Sequence, residues 1–189
     1  MTYDEYLNCA EKHLKGCTSL LLSYQAGQKH DKHVWLELYY LSGYIIEGIV
    51  VYSAYKLNNW KPNDDIKTRY NLAFSQRTNL DFYYVRSKKV NGTEKIPQFF
   101  QNRPVGALSV QGHRFQEIAK NLLRTDPSFN DVPYIGDGEI DSDVEQLIED
   151  WKPEVRYIHA NTMSTSLILS QDLITRLINT CNKIYLKHI

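Results

Sequence analysis

A glutamate set among aliphatic and aromatic neighbours is the first place in this sequence where chemistry can happen. Glu47 closes the run Tyr40-Leu-Ser-Gly-Tyr-Ile-Ile-Glu47, and its helical neighbours three and four positions away are Gly43, Tyr44, Val50 and Val51. None of these forms an ion pair, and a carboxylate in an apolar setting is costly unless another element supplies a partner. The basic candidates are Arg156 and His113. A buried ion pair that fixes helix register meets this requirement, and so does a polar centre at a ligand cleft.

A second candidate is Arg156-Tyr-Ile-His159. Histidine as general acid or base, with arginine holding a phosphate, is the equipment for cleaving RNA through its 2′-hydroxyl. The structural alternative is an Arg-Tyr corner that orients the last helix. His30, His33 and Glu37 share helical spacing, but no further strong ligand follows nearby, so no metal site is expected, and no cofactor. Asp137, Glu139, Asp141 and Asp143 are acidic without the spacing of a calcium loop. Arg86, Lys88, Lys89 and Lys95 lie beside Tyr83, Tyr84, Phe99 and Phe100. That mixture suits RNA, with cations on phosphate and rings on bases. It equally suits a hairpin whose lysines are solvated edge protection.

The elements that must position these groups are mostly helical. Thr2-x-x-Glu5 predicts a capping box, followed by Tyr6, Ala10, Leu14, Cys17, Leu21 and Tyr24 along one face. A second helix, near Val34–Lys56, is apolar nearly all round, which predicts a central element buried on several sides with Gly43 and Gly48 admitting close neighbours. Between residues 60 and 107 the helical period is lost, and Asn91-Gly92 predicts a two-residue hairpin turn within this insertion. Phe115, Ile118, Ala119, Leu122 and Leu123 mark a third helix. Ser142 with Glu145 predicts a capping box for a helix through Val144, Leu147, Ile148 and Trp151, kinked or ended by Pro153. The last helix, starting between Ser164 and Ser170, buries Leu173, Ile174, Leu177, Ile178, Cys181, Ile184 and Tyr185. The expected fold is an all-α, antiparallel up-and-down bundle of four to five helices in one domain, 1–189, with an inserted hairpin.

Composition sets outer limits. Lysine plus arginine total 22, as do aspartate plus glutamate, so bulk electrostatics do not make the whole molecule a nucleic-acid binder. Charge is instead segregated: nine basic residues against four acids lie between Lys61 and Arg103, and nine acids with no base between Asp126 and Asp150. Cys9, Cys17 and Cys181 are odd in number and lack a Cys-x-x-Cys pairing, which predicts three small core residues in a reducing compartment. The acidic, polar opening Met1-Thr2-Tyr3-Asp4-Glu5 does not read as a leader, and Glu47 with two glycines makes Leu38–Tyr55 a poor membrane span. A cytoplasmic location without membrane contact is the expectation.

Three segments resemble the HEPN family (higher-eukaryote and prokaryote nucleotide-binding domains), small helical bundles of bacteria and archaea. Tyr40-Leu-Ser-Gly-Tyr-Ile-Ile-Glu47 resembles the family's second-helix pattern of small residues before glutamate. Gly112-His-Arg-Phe115 is similar to its His-x-Leu step into the third helix. Trp151-Lys-Pro-Glu-Val-Arg-Tyr157 resembles the aromatic-then-Arg-Tyr signature before the last helix. Their order and spacing match over residues 1–58 and 109–189. The resemblance implies a polar centre of Glu47, His113, Arg156 and Tyr157, and a role beside nucleotide or nucleic-acid chemistry. Such domains accompany a nucleotidyltransferase or act in toxin–antitoxin and defence systems, often as homodimers. Two departures point away from catalysis: Val51 stands where the family often has lysine, and no arginine is followed by histidine at the four-to-six-residue interval of the ribonuclease members. The expectation is therefore a non-catalytic binding module for RNA or nucleotide. A metal-independent ribonuclease using Arg156 and His159, and an assembly scaffold, are the alternatives.

Overall fold

The hydrophobic stripes dictate most of what is seen. The computed structural model describes residues 2–25, 32–57, 60–66, 68–69, 72, 82–83, 88–90, 93–95, 108–109, 113–125, 140–158 and 169–189. Five α-helices lie among them: α1 (Asp4–Gln25), α2 (Lys32–Leu57), α3 (Phe115–Thr125), α4 (Ser142–Asp150) and α5 (Gln171–Leu186), with a 3₁₀ helix at Pro153–Tyr157. The protein is predominantly helical. Strands are confined to short pairings: β1 (Phe82–Tyr83) runs parallel to β4 (Leu108–Ser109), and β2 (Lys88–Val90) antiparallel to β3 (Thr93–Lys95).

The chain forms two compact units, residues 1–6 with 50–129 and residues 7–49 with 130–189. In the second, all seven predicted core residues of α5 are buried, as are Val144, Leu147 and Ile148 of α4. Along α1 the stripe Leu7, Ala10, Leu14, Cys17 and Leu21 is buried. Cys9 is exposed, against expectation, because it stands one residue (about 100° of helix) from that stripe. Cys17 and Cys181 are buried, and burial pushes the Cys17 thiol up to about 12. The α4 cap also differs from expectation. Asp141, not Ser142, occupies the N-cap, its carboxylate accepting from the backbone N–H groups of Asp143 and Val144 at 3.2 and 3.3 Å. Ser170 caps α5 by accepting from Leu173 N at 3.2 Å.

In the first unit, α1 opens without the expected Thr2–Glu5 box. The Asp4 N–H donates to the Pro62 carbonyl at 3.2 Å, and Thr2 pairs by backbone with Asp65. Tyr3 is buried between the rings of Tyr52 and Tyr55, and its hydroxyl donates to the Trp60 carbonyl at 2.6 Å. Burial, reinforced by Tyr52, holds its phenol near 12. Phe115, Ile118, Ala119 and Leu122 are buried as predicted. The β2–β3 register, Val90 against Thr93, leaves a two-residue connection, as the hairpin signal predicts; Asn91 and Gly92 lie outside the described residues, as does Pro97. By length and composition α2 would pass as a membrane span, yet 67% of its most apolar window is buried within the protein.

Candidate functional site

Trp151 organises the polar face of α2. It follows directly on α4, is 2% exposed, and its indole Nε1 donates to the Tyr40 carbonyl at 3.1 Å. The ring occupies the space that a side chain on residue 43 would need: a Cβ on Gly43 would fall 1.9 Å from Trp151 Cε2. The predicted close approach at Gly43 is thus realised by an indole. The next residue, Tyr44, meets the same ring edge-on, with centroids 5.3 Å apart at 84°. The Tyr39 hydroxyl donates to the Leu147 carbonyl at 2.8 Å, tying α2 to α4.

Pro153 then opens the 3₁₀ helix, where its missing N–H costs nothing and its fixed φ suits the turn. Val155 is the buried anchor, which turns its neighbours Arg156 and Tyr157 outward. The Arg156 guanidinium lies 4.4 Å above the Tyr157 ring centroid and donates to the Tyr157 hydroxyl. Its pKa is raised first by a hydrogen bond with Tyr40 and further by Tyr157. The Tyr40 hydroxyl donates to the Tyr44 hydroxyl at 3.1 Å. Burial pushes the Tyr44 phenol up; Tyr40 and Glu47 add to this, and Arg156 opposes it. Glu47 and Arg156 therefore both act on Tyr44. The His13 ring, 6.0 Å from that of Tyr44, completes the neighbourhood, with its pKa lowered by burial and by Lys12.

Of the four residues of the expected polar centre, Glu47 and Arg156 act on Tyr44, and Tyr157 meets Arg156. Glu47 is half-buried, and the stripe Tyr40, Tyr44, Glu47 forms the polar margin of an otherwise apolar helix. His113 belongs to the other unit, where it is exposed with φ 57° just before α3. Lys88, Lys89 and Lys95 lie on β2 and β3, with Lys88 opposite Lys95. Arg86, His159 and His30 lie outside the described residues, while His33 and Glu37 are exposed on α2. Among the described residues no three His, Cys, Asp or Glu side chains converge to hold a metal.

Sequence reasoning missed Tyr40, Tyr44 and His13. Their signal was present, since Tyr40, Tyr44 and Glu47 recur at helical spacing, but tyrosines in an apolar helix read as core. It also missed Arg176. That side chain meets Asp141, Asp172 at 3.0 Å and Asp143 at 3.5 Å. Desolvation works against its charge, but Asp141 and Asp172 outweigh it and its pKa is raised. The arrangement around Arg156 can do what the one around Arg176 cannot. Among the described residues, phenol oxygens and no carboxylate hold this guanidinium beside an exposed tyrosine, so phosphate can meet the cation and a base can meet the ring. Comparison with protein-family models, with curated proteins and with solved structures finds no match to this chain.

Proposed function

We propose that this protein is a HEPN-like interaction module that binds single-stranded RNA or a nucleotide through Arg156 and Tyr157, without catalysis of its own. One observation carries the reading: an arginine held by phenols, over a tyrosine ring that is 74% exposed. A large exposed aromatic beside a cation is the usual composition of a stacking platform for unpaired bases. Tyr40 supports the guanidinium and is itself tied to Tyr44, and the two hydroxyls supply further hydrogen-bonding groups. The ordered resemblance of the segments around Glu47, His113 and Arg156 supports placing the module beside nucleotide or nucleic-acid chemistry. In that setting a second copy of the chain or a nucleotidyltransferase is its natural partner, within a toxin–antitoxin or defence system.

The test is fluorescence anisotropy with a labelled single-stranded RNA across a salt series. Binding should weaken as salt rises, because phosphate contacts release counterions. Tyr157→Ala should lose about 1–3 kcal/mol of affinity, the range for one base–aromatic stack. Intact RNA after long incubation without metal agrees with the module. Cleavage that disappears in His159→Ala would replace it with the ribonuclease, and the absence of salt-dependent binding would leave the assembly scaffold.

A further inference from the structure

Helix α1 brings two polar groups to the Tyr40–Tyr44 pair that the Arg156 surface leaves unused. His13 is half-buried, with its ring 6.0 Å from that of Tyr44, and its neighbour Lys12 is exposed. Burial and then the Lys12 charge lower the His13 pKa, so the ammonium stands near the imidazole. Both residues belong to the compact unit that holds Arg156.

The two lysines of this stretch of α1 differ. Lys15 meets Glu11 at 2.6 Å, which neutralises it locally. Among the described residues no carboxylate pairs with Lys12, and the His13 ring has no hydrogen-bond partner. A half-buried imidazole without a partner is costly. Packing on Tyr44 accounts for the carbon atoms of that ring, but for neither its nitrogens nor the bare cation beside them. An anion would satisfy both. Arg156 is attached to the tyrosine pair through Tyr40, and His13 through Tyr44, the two hydroxyls being bonded at 3.1 Å. Two basic points on one surface suit a ligand that repeats its phosphate.

We infer that the ligand of this surface is an RNA strand carrying successive phosphates, not a mononucleotide. One phosphate meets Arg156, with its base on Tyr157. The next meets the Lys12 ammonium and accepts a hydrogen bond from the His13 imidazole. This second phosphate subsite rests on the reading of Arg156 and Tyr157 as a nucleic-acid surface, and it narrows that reading. A nucleoside monophosphate fills the first subsite alone. A nucleoside triphosphate adds charge, but not at the spacing of a sugar–phosphate backbone.

Calorimetric titration of the full chain with AMP, ATP and the 5′-phosphorylated dinucleotide pApA tests the second subsite. The dinucleotide should bind about tenfold more tightly than AMP, the gain from one further charge-assisted contact, and ATP should fall short of it. Lys12→Ala should bring pApA down to the affinity of AMP and reduce the slope of log K against log salt by about 0.7. His13→Gln should narrow the gap less. Lys15→Ala removes the same charge from the same helix and should leave the gap as it is. Lys12 is exposed, so its variant should unfold at the temperature of the parent. Equal affinity for AMP and pApA, both lost in Arg156→Ala, overturns the second subsite and leaves the Arg156 surface standing. Equal losses in Lys12→Ala and Lys15→Ala overturn it as well, by reducing the effect to bulk charge. So does ATP binding as tightly as pApA. Absence of binding by all three ligands, or binding that Arg156→Ala does not weaken, overturns both readings together.

Discussion

Arg156 and Arg176 are two arginines in the same compact unit with opposite surroundings. Arg176 bridges α4 and α5 by meeting three carboxylates: the N-cap Asp141, Asp143 in the first turn of α4, and Asp172 one turn back on α5. Arg156 instead meets the phenolic groups of Tyr40 and Tyr157. Both guanidiniums are fixed, yet only one keeps a positive charge on offer. Carboxylates spend an arginine on the fold, whereas phenols position it and leave its charge for a ligand. Counting arginines in the sequence does not separate these roles; the identity of the hydrogen-bond acceptor does.

The largest test of this contrast removes the support beneath Arg156. Trp151→Ala should cost about 3–5 kcal/mol in chemical denaturation, the range for a buried aromatic cut to alanine, and should also abolish RNA binding. Retained binding would show that Arg156 does not depend on the indole that backs Tyr40 and Tyr44. Gly43→Ala sets a methyl against that same indole and should cost about 1–3 kcal/mol by overpacking. A crystal structure of this variant should show Trp151 displaced and Arg156 with it.

Exchanging the arginines themselves comes next. Arg156→Ala should weaken RNA binding about tenfold, near 1.4 kcal/mol, with unchanged thermal unfolding. Arg176→Ala should do the reverse, lowering the melting temperature slightly at constant affinity. If both variants lose affinity equally, the distinction fails. Asp141→Ala should cost about 1 kcal/mol, chiefly through the lost α4 cap, and its anisotropy titration should overlay that of the parent.

The smallest effect concerns pH. His13 has a folded pKa below its ordinary 6.5 because of burial and Lys12, so the unfolded chain binds the proton more readily. Stability should therefore be fully present above about pH 6.5 and decline as pH falls through the folded value. His13→Gln should flatten that slope in urea melts from pH 7 to pH 5; an unaltered slope would assign it to other groups.

How much of this was legible in the sequence depended on distance along the chain. The seven core residues of α5 and the three of α4 follow from spacings of three and four, and the hairpin from Asn91-Gly92. The α1 stripe also excluded Cys9 from the core, although cysteine's general preference for burial argued otherwise. Glu47, Arg156 and Tyr157 stood out as candidates, but not what connects them, because tyrosines that fill a helix and tyrosines that hold a cation look alike in one dimension. The bond from Asp141 to Arg176 spans 35 residues, and that from Tyr40 to Trp151 spans 111. No local pattern encodes pairings at such separations, since they arise only when packing brings the elements together.

Gly43 has one consequence beyond letting Trp151 in. An apolar, nearly uniform helix has little to choose between its rotational settings, since each offers similar grease to its neighbours. A single notch one hydrogen deep breaks that degeneracy. Turning α2 by one residue, about 100°, would put Ser42 or Tyr44 against the indole instead of a bare Cα. The notch works as a detent: it indexes the helix, and by indexing it aims Tyr40, Tyr44 and Glu47 along one line.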